Sequence, residues 1–264
     1  GGTASQAGVD YVSQSQSIVG TTALTNIVGS ISGDLGGYGI KSPFADSGIG
    51  IAIGFEYRKN TLDLNPDEAY QQSATPQFPV NGEVSANELF AEINIPLVEN
   101  VPGFELLSVE GAYRYSDYDI GFQTDTYKAG ANWSPFNSMR IRGSYQRAVR
   151  APNVIELFSS QQPFEVELTQ NANGSFDPCA GEQPFATLQQ CINTGVTAAQ
   201  YGNILDNPSG QFNALIGGNL NLQPEVADTF SLGVVFEPAF IPRFTASVDY
   251  FDITVDRLIG SLNP

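Results

Sequence analysis

Hydrophobic and polar residues alternate along much of this chain. Over residues 48–58, Ile49, Ile51, Ile53, Phe55 and Tyr57 fall on one side, and Gly50, Ala52, Gly54, Glu56 and Arg58 on the other. Successive side chains of a strand point to opposite faces, so the pattern predicts a strand with one apolar face and one small or polar face. The same pattern recurs over residues 87–97, 107–116, 124–133, 139–146, 228–236 and 244–250, with a weaker candidate at 22–35. Leu89, Ile93, Tyr113, Tyr127, Trp133, Ile141, Tyr145, Phe230, Leu232, Val248 and Tyr250 extend the apolar side. About eight strands result, each near the ~10 residues that a tilted strand needs to cross a bilayer.

The connections alternate in length. Residues 40–47, 98–103, 134–138 and 237–242 are short, whereas 60–85, 117–123 and 150–225 are longer. Short turns at one end and long loops at the other mark an outer-membrane barrel. Tyr57, Tyr113, Tyr115, Trp133, Tyr145, Phe236 and Tyr250 fall near the ends of the predicted strands, as interfacial girdles do. The β-propensity of aromatics alone gives the same placement. The stretch 150–225 does not alternate and is rich in Gly, Asn, Gln and Pro; within it, residues 197–202 read as a cap, a turn or two of helix and a glycine stop. A connection that long is uncommon unless it has a function.

Composition narrows the chemistry. Of 264 residues only 15% are charged, the net charge is −17, and there is no His. Nothing here neutralises a run of phosphates, so nucleic acid is not a partner. A Ser-His-Asp triad and a His-based zinc site are impossible within this chain, and no pair of carboxylates stands out for acid–base work. The reading is of a protein that is not an enzyme and carries no cofactor. No apolar run is long enough for a membrane helix, which leaves strands as the way across. Residue 1 is Gly and the sole Met is Met139, so the expectation is a processed product or a piece of a longer chain.

Specific words then appear. Tyr145-Gln-Arg-Ala-Val-Arg-Ala-Pro-Asn-Val-Ile-Glu-Leu-Phe158 resembles the segment of TonB-dependent receptors in which a barrel strand ends in an R-A-P-x-x-x-E-L-F run. Gly217-Gly-Asn-Leu-Asn-Leu-Gln-Pro-Glu225 is similar to the family's G-N-P-x-L-K-P-E run, with Leu220 and Gln223 where Pro and Lys are common. Ser231-Leu-Gly-Val, Val248-Asp-Tyr-Phe-Asp-Ile253, Tyr113-Arg-Tyr-Ser-Asp-Tyr118 and Thr126-Tyr-Lys-Ala-Gly130 resemble neighbouring strands in the same order. The motif residues are Arg147, Arg150, Pro152, Glu156, Gly218, Asn219, Pro224 and Glu225.

The resemblance implies an all-β, antiparallel up-and-down transmembrane β-barrel of about 22 strands around a plugged lumen. Eight strands about 4.8 Å apart would cover roughly a third of it. Residues 1–264 would then be part of the barrel domain, with a long extracellular loop at about 150–225. The implied setting is the bacterial outer membrane. The implied partners are outer-membrane lipid, the rest of the barrel and its plug domain, and TonB through an N-terminal region not recognisable here. The implied ligand is a scarce nutrient: a siderophore, a vitamin or an oligosaccharide. Two rivals remain. A complete eight-stranded barrel, serving as anchor or adhesin, requires the first and last strands to pair. A secreted carbohydrate-binding β-sandwich requires its apolar faces to be buried between two sheets.

Candidate sites carry two readings each. Cys179 and Cys191 in the long connection suit a disulfide of the oxidising cell exterior, against free buried thiols or half of a metal site. Arg147, Arg150 and Glu156 flank a strand mouth, either touching ligand or plug, or pinning the start of the connection. Arg58, Arg114, Lys128, Arg140 and Arg142 on the polar face could meet an anionic solute, or make an ordinarily polar barrel interior. Phe164, Phe176, Phe185, Tyr201 and Phe212 could stack on a ligand or pack the connection on itself. Asp117, Asp119 and Asp125 cluster, but without the spacing of a calcium loop.

Overall fold

The computed structural model describes residues 5–73, 75–241 and 243–261. A short helix α1 (Gln6–Val12) precedes β1 (Ile18–Asp34) and β2 (Gly50–Pro66), and one turn of helix α2 (Glu68–Gln71) leads to β3 (Val80–Val101). β4 (Phe104–Tyr118), β5 (Gln123–Phe136) and β6 (Met139–Arg150) follow as a meander. The long connection holds α3 (Val154–Phe158), β7 (Gln162–Glu167), α4 (Leu188–Asn193) and β8 (Gln211–Ile216), and the chain returns through β9 (Glu225–Phe236) and β10 (Ala246–Asp256).

Eight strands form one antiparallel sheet in the order β1-β2-β3-β4-β5-β6-β9-β10; β7 and β8 make a separate hairpin. β1 and β10 are its two edges and do not pair with each other. The closed eight-stranded barrel therefore does not form. Among the described residues no second large sheet covers the first, which is not the architecture of a sandwich.

The alternation sorts as the sequence predicts. Ile51, Ile53, Phe55, Leu89, Tyr113, Tyr145, Leu232 and Val248 are exposed on one face, Ile53 at 54%. Such a face left in water would forfeit the main driving force of folding, which requires an apolar solvent around it. The opposite face is polar, yet its Glu56 and Glu88 are buried. Gly54 stands directly across from Phe90, whose ring lies over it on the polar face. A Cβ at position 54 would overlap that ring, so the close approach demands glycine.

The strands run further than the alternation suggests. Residues 60–66 and 80–85, expected as loop, continue β2 and β3. Their polarity inverts: Leu62, Val80 and Val84 now lie on the polar-face side, whereas Asp63 and Asn81 pair on the other at 2.8 Å. Val84 with Val154 and Leu157 of α3 forms the small core, flanked by Leu62, Tyr118, Ile120, Phe158 and Leu222. Because this core lies beyond the exposed apolar band, helix α3 and not lipid covers it. Contrary to expectation, residues 35–49 at the short-turn end are as extended a connection as 67–79 at the other. The asymmetry resides in residues 151–224.

Candidate functional site

Arg150 closes β6 directly opposite Glu225, the first residue of β9. Its Nε and Nη2 donate to the two Glu225 carboxylate oxygens at 2.7 and 2.8 Å. Nη1 and Nη2 also donate to Glu156 at 3.0 and 3.1 Å. Pro152 turns the chain and is fully buried. Asn153 then caps α3: its side chain accepts from Glu156 N–H at 2.9 Å, and Glu156 accepts from Asn153 N–H at 2.7 Å. Burial works to raise the Glu156 carboxyl, and the Arg150 guanidinium and the Asn153 N–H together hold it below the usual carboxylate range.

The second motif locks onto the first. Gly218 N–H donates to Ser159 O at 2.8 Å and Asn219 N–H to Glu156 O at 2.9 Å. A Cβ on Gly218 would meet the Leu157 carbonyl at 2.5 Å, which requires glycine at this crossing. Pro224 is buried and hands the chain to Glu225, which also accepts from Ile259 N–H at 2.7 Å. Arg150, Pro152, Glu156, Gly218, Asn219, Pro224 and Glu225 thus form one knot at the mouth.

Arg147 is not part of it. Three residues along a strand reverse the face, so Arg147 points to the apolar side. There it donates to Asp228 at 2.9 and 2.8 Å, and Tyr145 Oη donates to the same carboxylate at 2.9 Å. The Arg147 guanidinium also lies over the Tyr127 ring, 5.5 Å from its centroid. At the other end of β5, Trp133 Nε1 donates to Gly103 O at 3.0 Å and packs on Phe104. Tyr127 to Trp133 is about 20 Å of strand, the scale of an apolar band between two aromatic girdles.

The polar face is neutralised pairwise. Glu56 and Glu88 are directly opposed across β2 and β3, a like-charge arrangement that costs energy unless bridged. Arg114 of β4 reaches both, and Arg58 joins Glu88 at 3.0 Å. Lys128 pairs with Glu110 and Arg142 with Asp249. Arg140 has no ion pair among the described residues. Four of the five cations singled out in the sequence are therefore consumed by neighbouring strands.

The connection is internally braced. Cys179 and Cys191 form a disulfide. Residues 197–202 remain hydrogen-bonded turns, and the helix of this stretch is α4, capped by Thr187. The five aromatics are not gathered into one patch. Tyr201 Oη donates to Ala186 O at 2.8 Å, Phe176 packs over Gly210, and Phe212 sits opposite Val166 in the β7–β8 hairpin, while Phe164 and Phe185 are exposed. Of the three clustered acids, Asp119 accepts from Ser85 and Asp125 from Tyr113. No metal-ligating group of three occurs among the described residues.

A single antiparallel sheet with an exposed apolar face and a charge-paired polar face defines a wall segment of an outer-membrane β-barrel. The chain belongs to the family described as TonB dependent receptor-like, beta-barrel, whose model matches residues 2–264. Solved structures share the fold at low identity. The siderophore receptor PirA from Pseudomonas aeruginosa is 16% identical, with 88% of this chain and 32% of that one covered and a TM-score of 0.52. A mutant of the ferric enterobactin receptor PfeA from the same organism, in complex with enterobactin, is 16% identical, with 89% and 27% covered and a TM-score of 0.56. PirA from Acinetobacter baumannii is 14% identical, with 89% and 27% covered and a TM-score of 0.51. The chain spans about a third or less of the length of these receptors. No curated protein sequence gives a significant match. The apolar face is thus the lipid side and the polar face the lumen side of an outer-membrane barrel.

Proposed function

We propose that this chain forms part of the wall and mouth of a receptor that takes up a scarce nutrient across the outer membrane. The knot of Arg150, Glu156 and Glu225 carries this reading. It anchors both ends of residues 151–224 at the lumen-side rim, where a solute entering the barrel must pass. Residues 151–224 face the exterior, and the paired charges of the polar face look onto a plug domain that occludes the lumen. TonB supplies the energy through the N-terminal region of the whole protein, and the ligand is a siderophore, a vitamin or an oligosaccharide. The chain does no bond chemistry of its own; it positions and admits. Deleting residues 164–212 from the full-length receptor tests the role of the loop. Ligand affinity should fall by an order of magnitude or more (about 1.4 kcal/mol per tenfold). Unchanged affinity would remove these residues from the binding site.

A further inference from the structure

The long-loop end of this chain is almost without cations. Residues 151–224 contain no Lys or Arg but carry Glu156, Glu165, Glu167, Asp177, Glu182 and Asp206. Connections 67–79 and 119–122 add Asp67, Glu68 and Asp119, again with no Lys or Arg. The cations at the adjoining strand ends are engaged, Arg150 by Glu156 and Glu225, and Lys59 by Glu83. Arg257, just past β10, is the one Lys or Arg near this end with no ion pair among the described residues. A polyanion approaching within a Debye length, about 8 Å at physiological salt, meets mostly like charge from these connections.

The same end holds a cavity of about 630 Å³. That is the size of small-molecule sites generally. Leu64, Phe78 and Ile216 supply apolar walls, and Gln77, Gln162 and Asn219 supply amides. Gln77 and Gln162 are half-buried, and neither side-chain amide has a hydrogen-bond partner among the described residues. Glu156 is the single charged side chain in the lining, and it is committed to Arg150. Each amide offers both a donor and an acceptor, which matches a hydroxyl, itself donor and acceptor. A phenyl ring and aliphatic walls suit the C–H faces of a sugar ring.

We propose that this cavity is a cargo subsite for an uncharged, hydroxyl-rich ligand, a short neutral oligosaccharide, which it takes in preference to a polyanionic iron chelate. The proposal rests on the uptake reading above and narrows it to one substrate class.

The experiment uses the full-length receptor purified in detergent. It is titrated calorimetrically with an array of neutral di- to hexasaccharides and, separately, with ferric enterobactin as the polyanionic probe. At least one neutral saccharide should bind, and more tightly than ferric enterobactin. Gln77→Ala and Gln162→Ala should each weaken the saccharide by about tenfold, the loss of one polar contact in the cavity. Heat-modifiability on gels should stay that of a folded barrel in both variants. Three results overturn the proposal: no saccharide binds, both variants bind as the parent does, or ferric enterobactin binds more tightly than any saccharide. Accumulation in cells with and without TonB separates the two levels. TonB-dependent accumulation of the chelate alone sinks the subsite and keeps the uptake reading, whereas accumulation of neither class, nor of a vitamin such as cobalamin, sinks both.

Discussion

Arg150 and Glu225 lie 75 positions apart in the chain and stand face to face as the last rung between β6 and β9. The whole excursion of residues 151–224 hangs from this pair. Arg150→Ala leaves Glu156 and Glu225 facing each other without a cation. Arg150 is 45% exposed, so solvent screens the pair and its loss is felt locally. The expected outcome is local: a protease such as chymotrypsin should cut within 151–224 several-fold faster. The barrel should still migrate as folded on unheated gels.

Deeper in the lumen face the stakes are higher. Glu88 is 2% exposed and sits against Glu56, with Arg114 between them. Breaking a buried pair costs about 3–5 kcal/mol, and the 35% exposure of Arg114 scales this to about 2 kcal/mol. Arg114→Met should lower the melting temperature of the detergent-solubilised receptor in circular dichroism. Adding Glu88→Gln to it should recover much of the loss. Equal melting of Arg114→Met and the parent would show that the cluster contributes nothing.

Ile53 and Ala52 are neighbours on opposite faces. Ile53→Arg places a charge in lipid, at a cost of about 2–4 kcal/mol near the midplane. Ala52→Arg places the same charge in the lumen, directly across from Glu92. Refolding titrations in lipid vesicles should show the first variant strongly destabilised and the second nearly neutral. The reverse order would invert the assignment of faces.

Asp67 ties the start of β1 to the end of β2. Hydrogen bonds from the Ser17 hydroxyl, the Tyr70 N–H and the Ser17 N–H hold its carboxyl below the ordinary value of 3.8. The folded form therefore takes up its proton less readily than the unfolded chain. The tie is at full strength above the ordinary value and is lost as pH falls through the lower folded value. Amide exchange at Ser17 should accelerate below about pH 4 beyond its intrinsic pH trend. In Ser17→Ala that excess should shrink.

The Cys179–Cys191 disulfide closes a ring with a sequence separation of 12. In the loop-entropy model such a ring is worth roughly 3 kcal/mol. Because both cysteines lie outside the eight-stranded sheet, Cys179→Ser with Cys191→Ser should loosen the connection and leave the sheet unchanged. Mass-resolved hydrogen exchange should confine the new exchange to residues near 170–205. Exchange spreading into β6 or β9 would show that the connection braces the wall.

Much of the wall was legible because its signal is local. The period-2 alternation over residues 48–58 assigned Ile53 and Glu56 to their faces, and the exposure of Ile53 and burial of Glu56 agree. The extensions at 60–66 and 80–85 escaped because the apolar side changes there: Leu62 and Val84 face α3, a neighbour supplied by residues about 70 or more positions away. Arg147 and Arg150 belong to one motif word, which by itself groups them at the mouth. A spacing of three sends them to opposite faces, and applying the strand period through the motif would have separated them. The scatter of Phe164, Phe176, Phe185, Tyr201 and Phe212 had no local signal, since nothing in a non-repeating loop says which side chains its own backbone will bury.

The sequence by itself determined the central alternating stretches of the wall strands, their faces and the two motif words, since each depends on residues close together in the chain. Only the tertiary structure decided which cation meets which carboxylate: Arg114 with Glu56 and Glu88, Arg142 with Asp249, Arg150 with Glu156 and Glu225. The reason is register. A shift of one residue between strands would leave every composition and motif intact, yet it would carry each partner to the other face.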